Sequence, residues 1–380
     1  MLLSLLRLTD YALRDYKTNG QLGLEKRADC LGWATGQRCG ECYICQMVAV
    51  FREVKRVLRR DGCAFVNIGD SYASGTSTNH DNSSHEDYKP MKSFRSIKYS
   101  HGVTTKAQDG LKPKDMMLIP QRLALALQAD GWWVRSDIIW AKPNPMPESV
   151  TDRPTKSHEY IWLLSKSKDY FWDQEAVKEG ISSLPANIER RKYSKSKGHK
   201  TTANPDNNWE DGDLPEHVNS RNLRTVWNIA TQPYSGAHYA TYPEELVLRC
   251  LKAATSERGC CPKCGKMWER EVEKQQDTTR PKSRPVGDAR GKSPSDFRAG
   301  TPQQGSQIVH TTTLGFRPGC ACDLPPVPAT ILDPFAGSGT TLLVAKRMGL
   351  SAIGLDLSYQ YLRENAWERV GMNAPILEGI

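Results

Sequence analysis

The stretch ILDPFAGSGTTLLVAKRMGLSAIGLDLS, residues 331–358, limits the possible folds more than any other part of the chain. An apolar strand runs into a glycine corner, a helix follows, and a second strand ends in an acid, Asp356. Parallel strands joined through a helix belong to an α/β sheet. After Asp356, however, only one more helix fits, SYQYLRENAWERV (358–370), which is too little to complete a doubly wound sheet. The remaining strands are therefore expected from the N-terminal half.

That half supplies them. Strand-like runs are Leu2–Leu8, CAFVNIGDSYA (63–73), WWVRSDIIWAK (132–142) and EYIWLLSKS (159–167). Amphipathic helices are expected at MVAVFREVKRVLRR (47–60) and PQRLALALQAD (120–130). The alternation predicts a mainly parallel sheet with helices on both faces, entered in circularly permuted order.

Three ligands would use such a corner. A phosphate-cradling loop needs Gly-Lys-Ser/Thr, but Gly339 is followed by Thr340 and Thr341. A dinucleotide fingerprint wants a third glycine, and Leu342 stands there. What remains is a loop in which Gly337 and Gly339 let the backbone approach a ligand while Asp356 accepts hydrogen bonds from ribose hydroxyls. S-adenosylmethionine fits, having a ribose and a charged amino-acid end but no phosphate. A bare GxG equally well makes only a turn.

The full string is more specific. DPFAGSGTT followed by AIGLDLS resembles the cofactor motifs of site-specific DNA methyltransferases that modify N6 of adenine or N4 of cytosine. WAKPNPMPESVTDRPTKSHEYIWLLSKSKDYFWD (140–173) is similar to that family's approach to its target-recognition region, and HYATYPEELVLRCLKAATSERG (238–259) to its helix beneath the cofactor. The order, catalytic half first and cofactor half last, is that of the family's β group. The resemblance implies a Rossmann-like, S-adenosylmethionine-dependent methyltransferase fold. It places Asp333, Pro334, Phe335, Ala336, Gly337, Ser338, Gly339, Thr340, Thr341 and Asp356 around the cofactor, with His238, Ala240 and Thr241 near its methionine end. His238 could instead be a loop histidine capping a helix.

The chemistry requires more. An amine conjugated to its ring is a poor nucleophile, so its protons must be accepted and the nitrogen faced in line to the methyl group. The base must also be flipped out and stacked on an aromatic ring. The family uses a tetrapeptide, Asp/Ser/Asn-Pro-Pro-aromatic, running into a segment like YALRDYKTNGQLGLE (11–25). Here Arg7, Leu8, Thr9 and Asp10 precede that segment, and Pro-Pro-aromatic occurs nowhere in the chain. Asp10 then becomes the candidate proton acceptor and Tyr11 the stacking ring. Asp70 and Tyr72 join them as pocket candidates, because NIGDSYA (67–73) ends a strand where open α/β sheets bind ligands; Asp70 could also simply begin a turn. The departure leaves a second reading open, a catalytically impaired DNA-binding relative, and a more remote third, methylation of RNA.

Charge agrees with a polyanionic partner. Fifty-two lysines and arginines against 43 acids give a formal charge of +9 over 380 residues. No apolar run approaches a membrane span, and Arg7, Asp10, Arg14 and Asp15 interrupt the N-terminal apolar stretch too early for a signal peptide. Cytoplasmic residence, in a bacterium or a phage-infected cell, is expected, with double-stranded DNA as partner and a cognate restriction enzyme as a possible second one. Two polar excursions lie where specificity is anticipated: 75–115, rich in Ser, Lys and His, and 187–213, whose Arg190, Arg191, Lys192, Lys195, Lys197 and Lys200 would contact phosphates. Either could also be a solvated loop.

Eleven cysteines in such a setting argue for metal or structural thiols over disulfides. Cys30, Cys39, Cys42 and Cys45 form one group, and Cys261, Cys264, Cys320 and Cys322 a second with zinc-ribbon spacing. Cys260 could substitute for Cys261, while Cys63 and Cys250 read as core. Structural zinc is the implied ion, and 271–316 reads as a flexible insert between the halves of the ribbon. The expected organisation is 1–73 catalytic-half strands with the first Cys group, 74–116 polar insertion, 117–175 remaining catalytic-half strands, and 176–226 target recognition. It continues with 227–259 cofactor-packing helix, 260–325 zinc-ribbon-like insertion and 326–380 cofactor half.

Overall fold

A computed structural model describes residues 5–7, 20–25, 27–73, 111–180, 220–232, 241–276 and 309–371. It divides into two units: Met1–Asp173, Arg224–Met267 and Gly319–Ile380 form the larger, Gln174–Leu223 and Trp268–Pro318 the smaller.

The larger unit is built on β1 (Leu5–Arg7), α1 (Gly32–Thr35), α2 (Tyr43–Val57), β2 (Cys63–Ile68), α3 (Ile119–Ala129), β3 (Trp133–Ala141) and β4 (His158–Ser165). Helix α2 buries Tyr43, Ile44, Met47, Val48, Phe51 and Val54, a stripe at helical spacing, and carries Lys55 and Arg56 in its last turn, where the helix dipole favours cations. Every residue of β2 is buried, so it is a central strand covered on both faces. Ala64, Val66 and Ile68 join the core made with α2 and α3, whereas Phe65 points the other way and meets Trp172 with ring centroids 6.4 Å apart.

Two short strands of the smaller unit follow, β5 (Glu179–Gly180) and β6 (Ser220–Arg221), and then β7 (Val226–Asn228), which returns to the larger unit's sheet. The order is β1-β2-β4-β3-β7. β1 runs parallel to β2, with Arg7 opposite Asn67, and β7 runs parallel to β3. β4 is antiparallel to both β2 and β3, so this sheet is mixed rather than mainly parallel. The reason lies in the chain: the proline-rich connection 142–157 contains no helix, and without a helical crossover a strand returns beside its predecessor in the opposite direction.

The C-terminal part of this unit comprises α4 (Glu244–Ala254), then, after the smaller unit's β8 (Glu269–Gln276) and β9 (Val309–Arg317), β10 (Thr330–Asp333), α5 (Thr340–Arg347) and β11 (Ser351–Gly354). β10 and β11 pair in parallel, Asp333 opposite Gly354, as a strand-helix-strand unit requires. β1 also approaches β10. The last helix expected at 358–370 consists of α6 (Tyr359–Tyr361), a wider π-helical stretch (Leu362–Trp367) and α7 (Glu368–Val370).

In the smaller unit β8 and β9 form an antiparallel ribbon with a bulge at Glu271/Val272, and β5 pairs with β6. Thr311 of β9 donates to Glu175 at 2.7 Å, and Lys178 bridges to the same carboxylate at 2.6 Å. Residues 271–276 and 309–316 are thus ordered strands and not part of a flexible insert. Among the described residues no helix is long and apolar enough to cross a membrane.

Candidate functional site

The glycine corner lies between β10 and α5. Gly337 and Gly339 have φ of 51° and 73°, the left-handed region that glycine enters without a Cβ penalty. At Gly339 the space is also closed, since a Cβ would lie 2.9 Å from the Ala366 Cβ. The turn is fixed from both strands: Leu355 N donates to Asp333 O, Ala336 N to Leu355 O, and Gly339 N to Ala336 O, each at 2.8 Å.

Two carboxylates flank it. Asp356 accepts from Gly337 N through Oδ2 and from Ser358 N through Oδ1, both at 3.0 Å, and stays half-exposed with lone pairs to spare. Asp333 is fully buried; Oδ1 accepts from Phe335 N and Oδ2 from the Tyr242 hydroxyl, both at 3.1 Å. That hydroxyl also bonds to Thr341 Oγ1. Burial, with the charge of Asp356 added, pushes the Asp333 carboxyl up to about 6 against these hydrogen bonds.

Further side chains tie this corner to the rest of the unit. Phe335 packs against the core of α2, β2 and α3. Arg369 of α7 donates to Ser338 Oγ at 3.1 Å and Thr340 Oγ1 at 2.7 Å, while its other arm lies 3.5 Å from Glu244 of α4. Pro334 is half-buried, and Ala336, Ser338, Thr340 and Thr341 are buried. Thr241, half-buried, immediately precedes Tyr242; His238 and Ala240 lie outside the described residues. Tyr242, Glu244 and Arg369 were not singled out as site residues from sequence. The first two lie within 238–259, the segment similar to the family's helix beneath the cofactor, and nothing local marks Arg369.

At the carboxyl end of β2, Asp70 Oδ1 accepts the Ser71 and Ile119 amides at 3.0 Å, so its carboxylate both turns the chain and caps α3. Its Oδ2 is buried and has no hydrogen-bond partner among the described residues; burial raises its pKa. Tyr72 is half-buried with the Arg153 guanidinium 4.1 Å from its ring centroid. Neighbouring Asn67 donates to Glu159 Oε2 at 3.0 Å, and Glu159 pairs with Lys142. Asp10, Tyr11, Arg190, Arg191, Lys192, Lys195, Lys197 and Lys200 lie outside the described residues.

The two cysteine groups assemble as their spacing predicts. In Cys30, Cys39, Cys42 and Cys45, and in Cys261, Cys264, Cys320 and Cys322, the sulfurs lie within 4.8 Å of one another. Cys260 stays out, its thiol directed at Pro328 O, and Cys63 and Cys250 are fully buried.

The corner's chemistry discriminates among ligands. Its two carboxylates oppose a polyphosphate, and Arg369, the cation that touches it, is already shared with Glu244. A neutral sugar and a cationic group suit it better, with the glycine backbone and the spare lone pairs of Asp356 as partners.

A DNA methylase family model matches residues 34–261 and 327–366. The type II methyltransferase M.SmaI of Serratia marcescens is 32% identical over 92% of this chain and 78% of its own length. The type II methyltransferase M.Cfr9I of Citrobacter freundii is 39% identical over 64% of this chain and 63% of its own. The solved PvuII cytosine-N4-specific DNA methyltransferase aligns with a TM-score of 0.46 and 13% identity over 100% of this chain and 82% of its own.

Proposed function

We propose that this chain, which belongs to the DNA methylase family, transfers a methyl group from S-adenosylmethionine to an exocyclic amino nitrogen in DNA, N6 of adenine or N4 of cytosine, at a specific sequence. The observation that carries this is the phosphate-hostile glycine corner, with the Asp356 carboxylate beside Gly337 and the buried Asp333 carboxyl behind it. When bound, S-adenosylmethionine supplies an electrophilic methyl on a sulfonium centre. The residues 333–341 would form its cradle, Asp356 would accept from the ribose hydroxyls, and Thr241 with His238 and Ala240 would lie toward the amino-acid end. Ionised Asp333 favours the positive charge of the cofactor across a low-dielectric interior.

For the acceptor, Asp10 and Tyr11 follow β1 in the chain, and β1 is the neighbour of both β2 and β10. In our reading Asp10 accepts the amine protons, Tyr11 stacks on the extruded base, and Asp70 and Tyr72 line the same pocket from β2. Arg190, Arg191, Lys192, Lys195, Lys197 and Lys200 supply phosphate contacts, and the region 176–226 reads the sequence. In this reading the fold is circularly permuted, with β10, α5 and β11 around the cofactor corner following the strands that serve the acceptor base. Pairing with a cognate restriction enzyme, and cytoplasmic residence with the cell's or phage's DNA, complete the proposal.

Tritiated-methyl incorporation tests it. Full-length protein incubated with methyl-labelled S-adenosylmethionine and mixed unmethylated DNA should give DNA-bound label, and Asp356→Ala with a native circular dichroism spectrum should give none. Folded wild-type protein that retains DNA yet transfers no label would instead establish the non-catalytic relative.

A further inference from the structure

Methyl transfer leaves eight of the eleven cysteines without a role, and these fall into the two groups of four. Four sulfurs held about 2.3 Å from a tetrahedral zinc lie roughly 3.8 Å apart. Within the first group Cys30 Sγ and Cys45 Sγ are 3.6 Å apart, far beyond the roughly 2.05 Å of a disulfide.

A second, independent feature is the direction of the backbone amides. Gly32 N and Cys39 N point at Cys30 Sγ at 3.3 and 3.5 Å, and Glu41 N and Cys42 N at Cys39 Sγ at 3.4 and 3.3 Å. In the second group the Lys263 and Cys264 amides donate to the Cys261 sulfur. A neutral thiol is a weak acceptor and does not organise paired amides, whereas a metal-bound thiolate needs them to spread its charge. The turn that aims these amides is built for the purpose: Gly265 has a φ of 69°, its N–H donates to Cys261 O at 2.7 Å, and Cys261 N donates to Lys266 O at 2.9 Å. The Arg59 guanidinium, held by Asp61 through Nε and Nη2 at 2.9 and 3.0 Å, bonds to Cys264 O with its remaining nitrogen and would lie 2.7 Å from a Cβ at Gly265, so it braces this turn.

We infer that each group holds one structural zinc ion, closed by four thiolates with no open position for substrate. The first ion would pin the chain ahead of α2, where Cys42 and Cys45 begin that helix, to the segment around α1. The second would join two pairs of ligands separated in sequence by residues 265–319, closing the chain at the base of the β8/β9 insert. Beside it, Cys260 and Val327 exchange both backbone hydrogen bonds at 2.8 Å, so the ion would clamp the end of α4 to the start of β10. Because that clamp replaces a long loop closure, the second ion is the one on which the corner at Asp333 depends.

The test uses the full chain, purified under reducing conditions, and does not involve methyl transfer. Elemental analysis should find two zinc atoms per chain and no iron, with Cys42→Ser and Cys264→Ser each retaining one. The exposed thiols of Cys39 and Cys264 should resist iodoacetamide until a strong chelator is added, and this readout on wild-type protein stands even if the variants fail to fold. Fewer than two zinc atoms, rapid alkylation of either thiol without chelator, iron chromophores, or mass losses marking disulfides would each overturn the inference.

Discussion

Replacing Tyr242 with phenylalanine keeps the ring volume and removes one hydroxyl, which donates to the buried Asp333 Oδ2 at 3.1 Å and bonds to Thr341 Oγ1. Above the Asp333 pKa of about 6 the lost partner is a buried carboxylate, and losing a hydrogen bond to a charged group costs about 1.5–3 kcal/mol. With a urea slope of about 2–3 kcal/mol/M, the unfolding midpoint at pH 8 should fall by roughly 1 M. At pH 5 the carboxyl is largely protonated, the bond is a neutral one worth about 1 kcal/mol, and the loss should be about half as large. Expressed as ionisation, the difference between the two losses should raise the Asp333 pKa by about one unit, each unit being about 1.36 kcal/mol. Urea unfolding of both proteins at the two pH values measures this. An unchanged midpoint at pH 8, or equal losses at both, would refute the coupling of Tyr242 to an ionised Asp333.

Two other outcomes follow from the same corner. Gly339→Ala meets both a left-handed φ of 73° and an Ala366 Cβ 2.9 Å away, so it should destabilise by about 1–3 kcal/mol in thermal unfolding and weaken calorimetric binding of S-adenosylmethionine; a fully stable variant with unaltered affinity would contradict it. Asp333 is raised from 3.8 to about 6, so the folded state binds a proton more tightly than the unfolded chain; the stability this gives is complete below pH 3.8 and is lost as pH rises through about 6, an effect of order 3 kcal/mol. The difference in urea stability between wild type and Asp333→Asn should therefore change over that window, and a flat difference would count against it.

The corner itself was legible because its signals are local: an apolar run, two glycines, helical spacing and a terminal acid lie within 331–358. The cysteine groups were legible through short ligand spacing, and β2, β3 and α3 through their apolar periods. What was not legible depends on residues far apart in the chain. Tyr242 reaches Asp333 across 91 residues and Thr341 across 99, and no pattern in either segment announces it. The antiparallel course of β4 follows from the absence of a helix in 142–157, a segment whose sequence shows no strong signal of either kind. β8 and β9 carry no strand signal because EREVEKQQ is almost wholly polar and VHTTTLGFR mixes polar and apolar residues on both faces, leaving no alternation to detect. Arg369 is a surface-type residue in a polar helix until the fold brings it to Ser338 and Thr340.

Nucleoside analysis bears most directly on the claim that this corner serves amino-group methylation. Unmethylated DNA treated with the full-length protein and S-adenosylmethionine, then digested and separated by mass spectrometry, should contain N6-methyladenine or N4-methylcytosine in amounts that rise with enzyme. Finding methyl only on cytosine carbon 5, or no methylated nucleoside at all from protein that folds and binds DNA, would contradict it.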